Sequence, residues 1–279
     1  MTPRRHATWL LVPCLVALLL LVYLPQVLMF AVSLGHRSAY GAVVYGTSSS
    51  NYWRAIDPLY AWILWRSLLL ALATTVTCLV LAYPVAFWLG RIVPPRWRNA
   101  LLALIVLPFW TSFLVRMYAW IVLLRSEGVV NQALAAAGLP ALELLYNDAA
   151  VLVGQVYGEL PFMIIPLYVS LEKLDGTLLE AAADCGAGPL RRFTQVIVPQ
   201  TLPGIVAGCV LVFIPSLGAY LAPDLLGGGK TAYVGNLIQS QFATARDMPF
   251  GAALSFLLSL VVVLLLLAFR RPIRAAGSL

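Results

Sequence analysis

Arg116 and Glu159 are the two clear ionisable residues inside apolar runs of this 279-residue sequence, and Asp224 lies at the outer end of another run. Charged groups at membrane depth are costly, so they usually face a partner charge, a water-filled cavity or a ligand. Arg116 and Glu159 could pair with each other as a structural ion pair, or they could line a route for a polar solute. The residue types leave both interpretations open.

The apolar runs contain few residues of the types that covalent catalysis or metal binding requires. His6 and His36 both lie outside these runs and lack metal-ligand spacing. The cysteines show no C-x-x-C spacing, and we interpret them as packing residues: Cys14, Cys78, Cys185 and Cys209. An intramembrane enzyme needs a nucleophile with a base, or a metal-ligand set. We therefore expect no enzymatic activity, no catalytic residue, no metal and no cofactor bound by this chain.

The run Gly229-Lys230-Thr231 has the form of the end of a phosphate-binding loop, G-x-x-x-x-G-K-[ST]. The first glycine of that pattern would fall at Asp224, whose carboxylate would repel phosphate, and no strand is predicted before it. We therefore expect another polypeptide to handle any nucleotide.

One loop, residues 172–199, is long and is itself patterned as two short helices. Thr177 and Glu180 have the spacing of a capping box, which predicts a helix start. Gly186 is expected to end this helix, because only glycine takes the left-handed conformation there without strain. A proline three residues later suits the start of a second helix, and Pro199 is expected to end it. The prediction is helix, turn, helix.

The composition predicts the elements that position these residues. Hydrophobic residues make up 62% of the chain and charged residues only 10%, too little polar surface for a water-soluble globule. A helix needs about 20 apolar residues to cross a bilayer. The sequence therefore predicts an all-α, polytopic membrane protein with about six transmembrane helices, the first a retained span rather than a signal peptide. The six apolar runs cover residues 9–32, 67–89, 100–124, 149–171, 201–221 and 249–269.

The distribution of lysine and arginine predicts the orientation. A cytoplasmic N-terminus assigns eleven basic residues to inner segments and six to outer ones, and short basic loops stay on the cytoplasmic side. We therefore expect both termini in the cytoplasm and loop 172–199 on the same side. This topology accounts for the net charge of +7, so we infer no nucleic-acid partner.

Residues 180–199 of this loop carry a recognisable pattern. Glu180-Ala181-Ala182, then Gly186, then Val196-Ile197-Val198-Pro199 resembles the EAA loop of ABC importer permeases, which reads E-A-A, three residues, G, nine residues, I-x-L-P. Val196 and Val198 replace the isoleucine and leucine of that pattern and nearly keep their shape.

A longer part of the chain, from about residue 57 to residue 267, is similar to the spermidine/putrescine branch of these permeases. The similarity rests on the runs LEKLD at 171–175, GAYLAPDLLGGG at 218–229, GNLI at 235–238 and RDMPFG at 246–251. The resemblance implies the ABC importer type I permease fold in a bacterial inner membrane. It favours a polyamine as the solute, with an opine, an aminoalkylphosphonate or ferric iron as alternatives.

The resemblance also implies partners and functional residues. Loop 172–199 would dock on an ABC ATPase subunit and transmit its closure through five residues: Glu180, Ala181, Ala182, Gly186 and Pro199. The other implied partners are a second permease subunit, an extracytoplasmic solute-binding protein and the lipid bilayer. A polyamine route needs carboxylates and aromatic faces, and the candidates are Glu159, Asp224, Tyr157 and Tyr220.

We expect three regions along the chain. Residues 1–56 form an N-terminal transmembrane helix and an outward, aromatic-rich loop. Residues 57–270 form the transmembrane domain with the coupling loop 172–199, and residues 271–279 form a cytoplasmic tail. A secondary transporter is the competing class, but it predicts inverted repeats with interrupted helices and leaves the coupling loop unexplained.

Overall fold

The computed structural model describes residues 3–38 and 41–276, with side chains at 12–13, 15–38 and 41–267. Tyr40 of the aromatic-rich loop, the side chain of Cys14 and the basic side chains of both termini lie outside this part, as do tail residues 277–279. The predicted orientation therefore uses the arginines of the two termini as counted in the sequence, and the structure describes none of their side chains.

The described chain is helical almost throughout. In chain order the helices begin with α1 (Pro3–Ser33), α2 (Ser50–Ala55), α3 (Pro58–Phe87), α4 (Pro95–Val106), α5 (Phe113–Leu124), α6 (Val129–Ala136) and α7 (Asp148–Glu172). They continue as α8 (Gly176–Asp184), α9 (Pro189–Arg192), α10 (Val198–Gly218), α11 (Leu221–Gly227), α12 (Val234–Ala243) and α13 (Met248–Ala276). The remaining elements are π-helical turns at Trp88–Ile92 and Phe193–Ile197, a 3-10 turn at Leu107–Trp110, and strands β1 (His36–Arg37) and β2 (Val43–Val44), paired antiparallel.

The described helices confirm an all-α polytopic protein. Those long and apolar enough to cross a bilayer cover Leu15–Ser33, Pro58–Ile92, Asp148–Glu172, Pro189–Gly218 and Met248–Leu267. A sixth span exists if the bent pair Pro95–Trp110 and Phe113–Ala136 counts as one. The two members of that pair meet at 88°, so the apolar run predicted over 100–124 is a broken helix rather than one continuous helix.

The bend has a local cause. Thr111 and Ser112 are both extended, with ψ of 151° and 135°, and a helix cannot continue through two extended residues. Before them, Pro108 lies in the 3-10 turn and lacks a backbone N–H. The Thr111 hydroxyl donates a hydrogen bond to the Pro108 carbonyl at 2.7 Å. Phe109 and Phe113 therefore lie on either side of a sharp break.

The chain forms two compact units, and the larger comprises Ile63–Asn236 and Leu264–Leu279. Within it, α7 packs most extensively against α10. A Cβ on Gly204 would lie 2.6 Å from the Pro166 carbonyl oxygen, and a Cβ on Gly208 would lie 2.6 Å from the Met163 sulfur. These close approaches show that Gly204 and Gly208, spaced four residues apart, allow α10 to pack closely against α7.

Two further contacts join α5 and α3 to the middle of α7. A Cβ on Gly158 would lie 2.7 Å from the Phe113 ring, so this glycine lets the start of α5 approach α7. Deeper in the core, the Thr74 hydroxyl donates a hydrogen bond of 3.0 Å to the Gln155 side-chain carbonyl. Both of these side chains are buried, which makes their mutual bond necessary.

The smaller unit comprises Met1–Trp62 and Leu237–Val263. In this unit the buried Asn51 side-chain amide donates hydrogen bonds to the carbonyls of Ser33 and Gly35 at 2.9 and 2.8 Å. Arg54 pairs with Asp247 at 2.8 Å and lies 3.9 Å over the Phe250 ring. These contacts hold the segment after α1 against the residues around the start of α13.

The α7–α10 packing gives a stability prediction. We expect Gly204→Ala to lower the free energy of unfolding by about 1–3 kcal/mol, because the added methyl group overlaps backbone that cannot easily move. Thermal unfolding of the purified chain in detergent measures the effect. Gly218→Ala is the matched control, since a Cβ there meets nothing within 4 Å. Equal melting temperatures for the two variants would contradict this account of the interface.

Candidate functional site

The candidate site begins where α7 ends and the exposed helix α8 starts. The Asp175 carboxylate accepts a hydrogen bond of 2.9 Å from the Thr177 backbone N–H, so Asp175 is the N-cap of α8. That hydrogen bond lowers the pKa of the Asp175 carboxyl. The predicted capping box is wrong, because Thr177 lies inside the helix rather than before it.

Gly186 ends α8 as predicted. Its φ is +78°, and its N–H donates to the Ala183 carbonyl at 2.8 Å. The next amide, of Ala187, donates to the Ala182 carbonyl at 3.0 Å. These two bonds form a Schellman motif, which satisfies carbonyls at the helix end and requires a left-handed residue. A Cβ on Gly186 would meet nothing within 4 Å, so the constraint here is backbone conformation and not space.

The predicted end of the second short helix at Pro199 is wrong. From Pro189 the chain runs without interruption through α9 and the π-helical turn into α10, so that one helical segment covers Pro189–Gly218. Pro199 lies in the first turn of α10, directly after the wider turn. In a regular α-helix its ring would clash with the carbonyl four residues earlier, and we attribute its tolerance here to the π geometry.

The residues predicted for coupling lie on an open surface. None of the residues in α8 is buried. Glu180, Ala181, Gly186 and Pro199 are exposed, and Ala182 is half-buried. The neighbouring apolar side chains are also open, with Leu178 42%, Leu190 76% and Phe193 37% exposed. Open apolar side chains beside small residues leave this surface accessible to another protein.

The base of this surface is anchored to the membrane helices. The Arg91 guanidinium donates a hydrogen bond of 2.8 Å to the Leu174 carbonyl, one residue before Asp175. Arg98 lies 3.5 Å from the Glu172 carboxylate, which also accepts a 2.6 Å hydrogen bond from the Tyr168 hydroxyl. Two arginines near the junction of α3 and α4 therefore hold the segment between α7 and α8.

Both π-helical turns lie at this anchor. In the first, a Cβ on Gly90 would lie 3.3 Å from the Leu171 Cβ, so the turn approaches α7 closely. In the second, the Phe193 ring packs edge-on against Tyr83 of α3, with centroids 5.4 Å apart. The two turns share an apolar cavity of about 580 Å³. Departures from α geometry are frequent at functional sites.

The four solute-path candidates form two separate pairs. Tyr157 and Glu159 are half-buried on α7. Tyr220 and Asp224 are exposed at the start of α11, where the Asp224 N–H donates to the Tyr220 carbonyl at 2.8 Å. Among the described residues, no hydrogen bond joins one pair to the other.

The structure contradicts the ion pair considered for Arg116 and Glu159. It is absent from the salt bridges of the described residues, which are Arg54–Asp247, Arg66–Asp148 and Arg98–Glu172. The Arg116 guanidinium instead lies 4.3 Å from the centre of the Phe109 ring. The 88° break brings that ring to the arginine, and a hydropathy pattern could not reveal the break.

Sequence reasoning also missed a polar cluster beside α7. Arg66 pairs with Asp148 at 2.8 Å, and the Tyr233 hydroxyl donates to the same carboxylate at 2.8 Å. Burial and the neighbouring Asp148 charge raise the pKa of Tyr233. A further bond of 2.8 Å runs from the Val234 N–H to the Ser67 hydroxyl. These partners are far apart in sequence, and no local motif signals them.

The described helices thus form an apolar bundle with an exposed, glycine-ended helix anchored at its base. Residues 82–274 match the family of the binding-protein-dependent transport system inner membrane component. The chain belongs to this family, and as such it is a multi-pass protein of the bacterial inner membrane.

Individual relatives are similar over nearly the whole chain. The chain is 43% identical over 256 residues to the spermidine/putrescine transport system permease protein PotB of Haemophilus influenzae, covering 91% of this chain and 89% of the relative. It is also 43% identical over 259 residues to PotB of Escherichia coli K12, covering 92% and 94%. The fold is similar to a chain in the crystal structure of a bacterial ABC transporter involved in alginate import, with a TM-score of 0.79, 15% identity, and 97% and 95% coverage.

The Asp175 cap gives a prediction about helix α8. In Asp175→Ala the amides of residues 176–184 should exchange hydrogen several-fold faster, because the side-chain acceptor at the helix start is lost. The pKa of the Asp175 carboxyl is lower in the folded state than in the unfolded state. The stability that the cap gives to α8 is therefore fully present at pH values above the unfolded-state pKa of about 4. This stability is lost as the pH falls through the lower folded-state pKa. Hydrogen exchange with mass spectrometry measures both effects. Asp175→Asn keeps an acceptor and should retain protection, whereas equal protection in all three proteins would contradict the cap.

Proposed function

We propose that this chain is the membrane-spanning subunit of an ATP-driven importer for a polyamine, spermidine or putrescine. The observation that carries the proposal is the 43% identity, over about nine-tenths of the chain, to permeases named for that transport. The chain itself performs no chemistry on the solute, and a separate ATPase supplies the energy.

The ATPase is proposed to bind the exposed surface built on α8. The open apolar side chains there support this role, and so do the small residues that let a partner approach. Glu180, Ala181, Ala182 and Gly186 form the contact, and Pro199 marks the start of the helix that receives the movement. Closure of the ATPase pair would move α8 as a rigid body, and the Arg91 and Arg98 contacts would transmit this movement to α3 and α4.

The other proposed partners follow from the family. A binding-protein-dependent system requires an extracytoplasmic solute-binding protein, and a second permease subunit completes the path. The orientation with both termini and α8 in the cytoplasm rests on the basic residues of the inner loops. Tyr157, Glu159, Tyr220 and Asp224 stay candidates for the solute path, because aromatic faces and carboxylates attract an extended polycation.

The direct test is uptake by the assembled importer. Vesicles that contain this chain, the second permease and the ATPase should accumulate radiolabelled spermidine or putrescine when ATP and the binding protein are present. Omission of this chain should abolish uptake. Uptake of another solute class, with neither polyamine accumulated, would refute the proposed cargo but not the coupling surface.

The coupling surface has its own test. We expect Gly186→Asp to abolish uptake with normal abundance in the membrane, because it strains the turn and adds a charged side chain to the ATPase contact. The matched control is Gly138→Asp, since Gly138 has a φ of +76° and equally open surroundings but lies outside loop 172–199. Copurification with the ATPase should fall only for Gly186→Asp. Unimpaired transport by that variant would defeat the assignment.

A further inference from the structure

Three aromatic rings surround the guanidinium group of Arg116. Its Cζ lies 4.3 Å from the ring centre of Phe109, 5.3 Å from that of Phe113 and 5.8 Å from that of Tyr157. All three distances fall within the ~6 Å over which an aromatic face attracts a cation. The rings come from both sides of the 88° break and from α7, so the fold brings them together around one positive charge.

Neighbouring residues hold these rings independently of the arginine. Phe109 and Tyr157 stack on each other with centroids 6.3 Å apart. Trp120 packs edge-on against Tyr157 at 5.7 Å, and Phe162 packs edge-on against Phe109 at 6.3 Å. Since this outer layer makes no use of the guanidinium, we expect the arrangement of the rings to persist when Arg116 is replaced.

The arginine is held by little besides the rings. Its Nε and Nη1 atoms are buried and have no hydrogen-bond partner among the described residues, and the same is true of the Glu159 Oε2 atom. Buried polar groups without partners carry a desolvation cost. Such groups are rare in folded proteins, so each of these atoms needs a partner that the described residues do not supply. No hydrogen bond from Nε or Nη1 needs to break for the guanidinium to leave.

We propose that Phe109, Phe113 and Tyr157 form a binding site for an alkylammonium group of the transported solute, and that Arg116 occupies this site until the solute displaces it. One monovalent cation replaces another, so the charge within the rings is unchanged. The rings and Arg116 are only half-buried, so the site can be reached without unfolding. This inference rests on the proposed polyamine cargo. It adds where an ammonium group of that cargo binds and which residue, Arg116, fills the site in its absence.

The test is equilibrium binding of radiolabelled spermidine to the assembled importer in nanodiscs, without ATP or binding protein. Arg116→Met removes the internal cation and keeps an apolar side chain of similar length. Because a desolvated cation–π contact is worth about a tenfold change or more in affinity, spermidine should bind roughly tenfold more tightly to this variant than to the wild type. Adding Phe109→Leu to Arg116→Met should return the affinity to that of the wild type.

Arg125→Met is the matched control, because Arg125 follows the same helix but is exposed and lies outside the ring cluster. It removes an equal charge and should leave spermidine binding unchanged. The proposal is overturned if Arg116→Met binds spermidine no more tightly than Arg125→Met. It is also overturned if the Phe109→Leu addition leaves the gain intact.

A folding defect can be separated from a binding effect. Each assembly is first checked by size-exclusion chromatography, and Arg116→Gln replaces Arg116→Met if the latter fails to assemble, with the same expected gain. The proposed function has a separate readout in spermidine uptake by the wild type. Normal wild-type uptake with no gain in the Arg116 variants defeats this site alone, whereas absent uptake defeats the cargo.

Discussion

The hydrogen bond from the Arg91 guanidinium to the Leu174 carbonyl fixes the point at which the exposed helix α8 leaves the apolar bundle. A short exposed helix can transmit force only if its base cannot move independently of the helices below it. Arg98 and Glu172 add a second contact at the same point, and the close approach of Gly90 to Leu171 adds a third. At its other end, α8 is followed after a short turn by the continuous helical segment that becomes α10. The helix is thus connected to α3, α4, α7 and α10 through a few residues.

Irregular backbone occurs at the anchor of α8 and beside the ring cluster around Arg116. Two π-helical turns lie at the anchor, and the 88° break lies beside Arg116. The regular helices between them pack closely where glycines allow it, as Gly204 and Gly208 do between α7 and α10. Rigid segments separated by a few irregular turns are suited to switching between two arrangements. An importer that alternates its access needs such a division between parts that move and parts that bend.

Most of the architecture could be predicted from the sequence, because hydropathy and glycine conformation are local properties. The run at 149–171 agrees with α7 to within one residue at each end, and Gly186 takes the predicted left-handed conformation. The errors arose where two local signals competed or where partners were distant. Asp175 and Thr177 are both good capping residues, and only the structure decides between them. The Arg91 contact joins residues 83 positions apart, and no sequence motif encodes it.

Whether the Arg91 anchor couples α8 to the bundle is tested most directly in the reconstituted importer carrying Arg91→Gln. The quantity to measure is the number of polyamine molecules imported per ATP hydrolysed. We expect ATP hydrolysis to continue while this ratio falls several-fold, because α8 still binds the ATPase but has lost its hydrogen bond to the π-helical turn that follows α3. Arg96→Gln, which removes the same charge from an exposed position five residues away, should keep the wild-type ratio. Equal ratios in the two variants would show that the Arg91 anchor carries no part of the coupling.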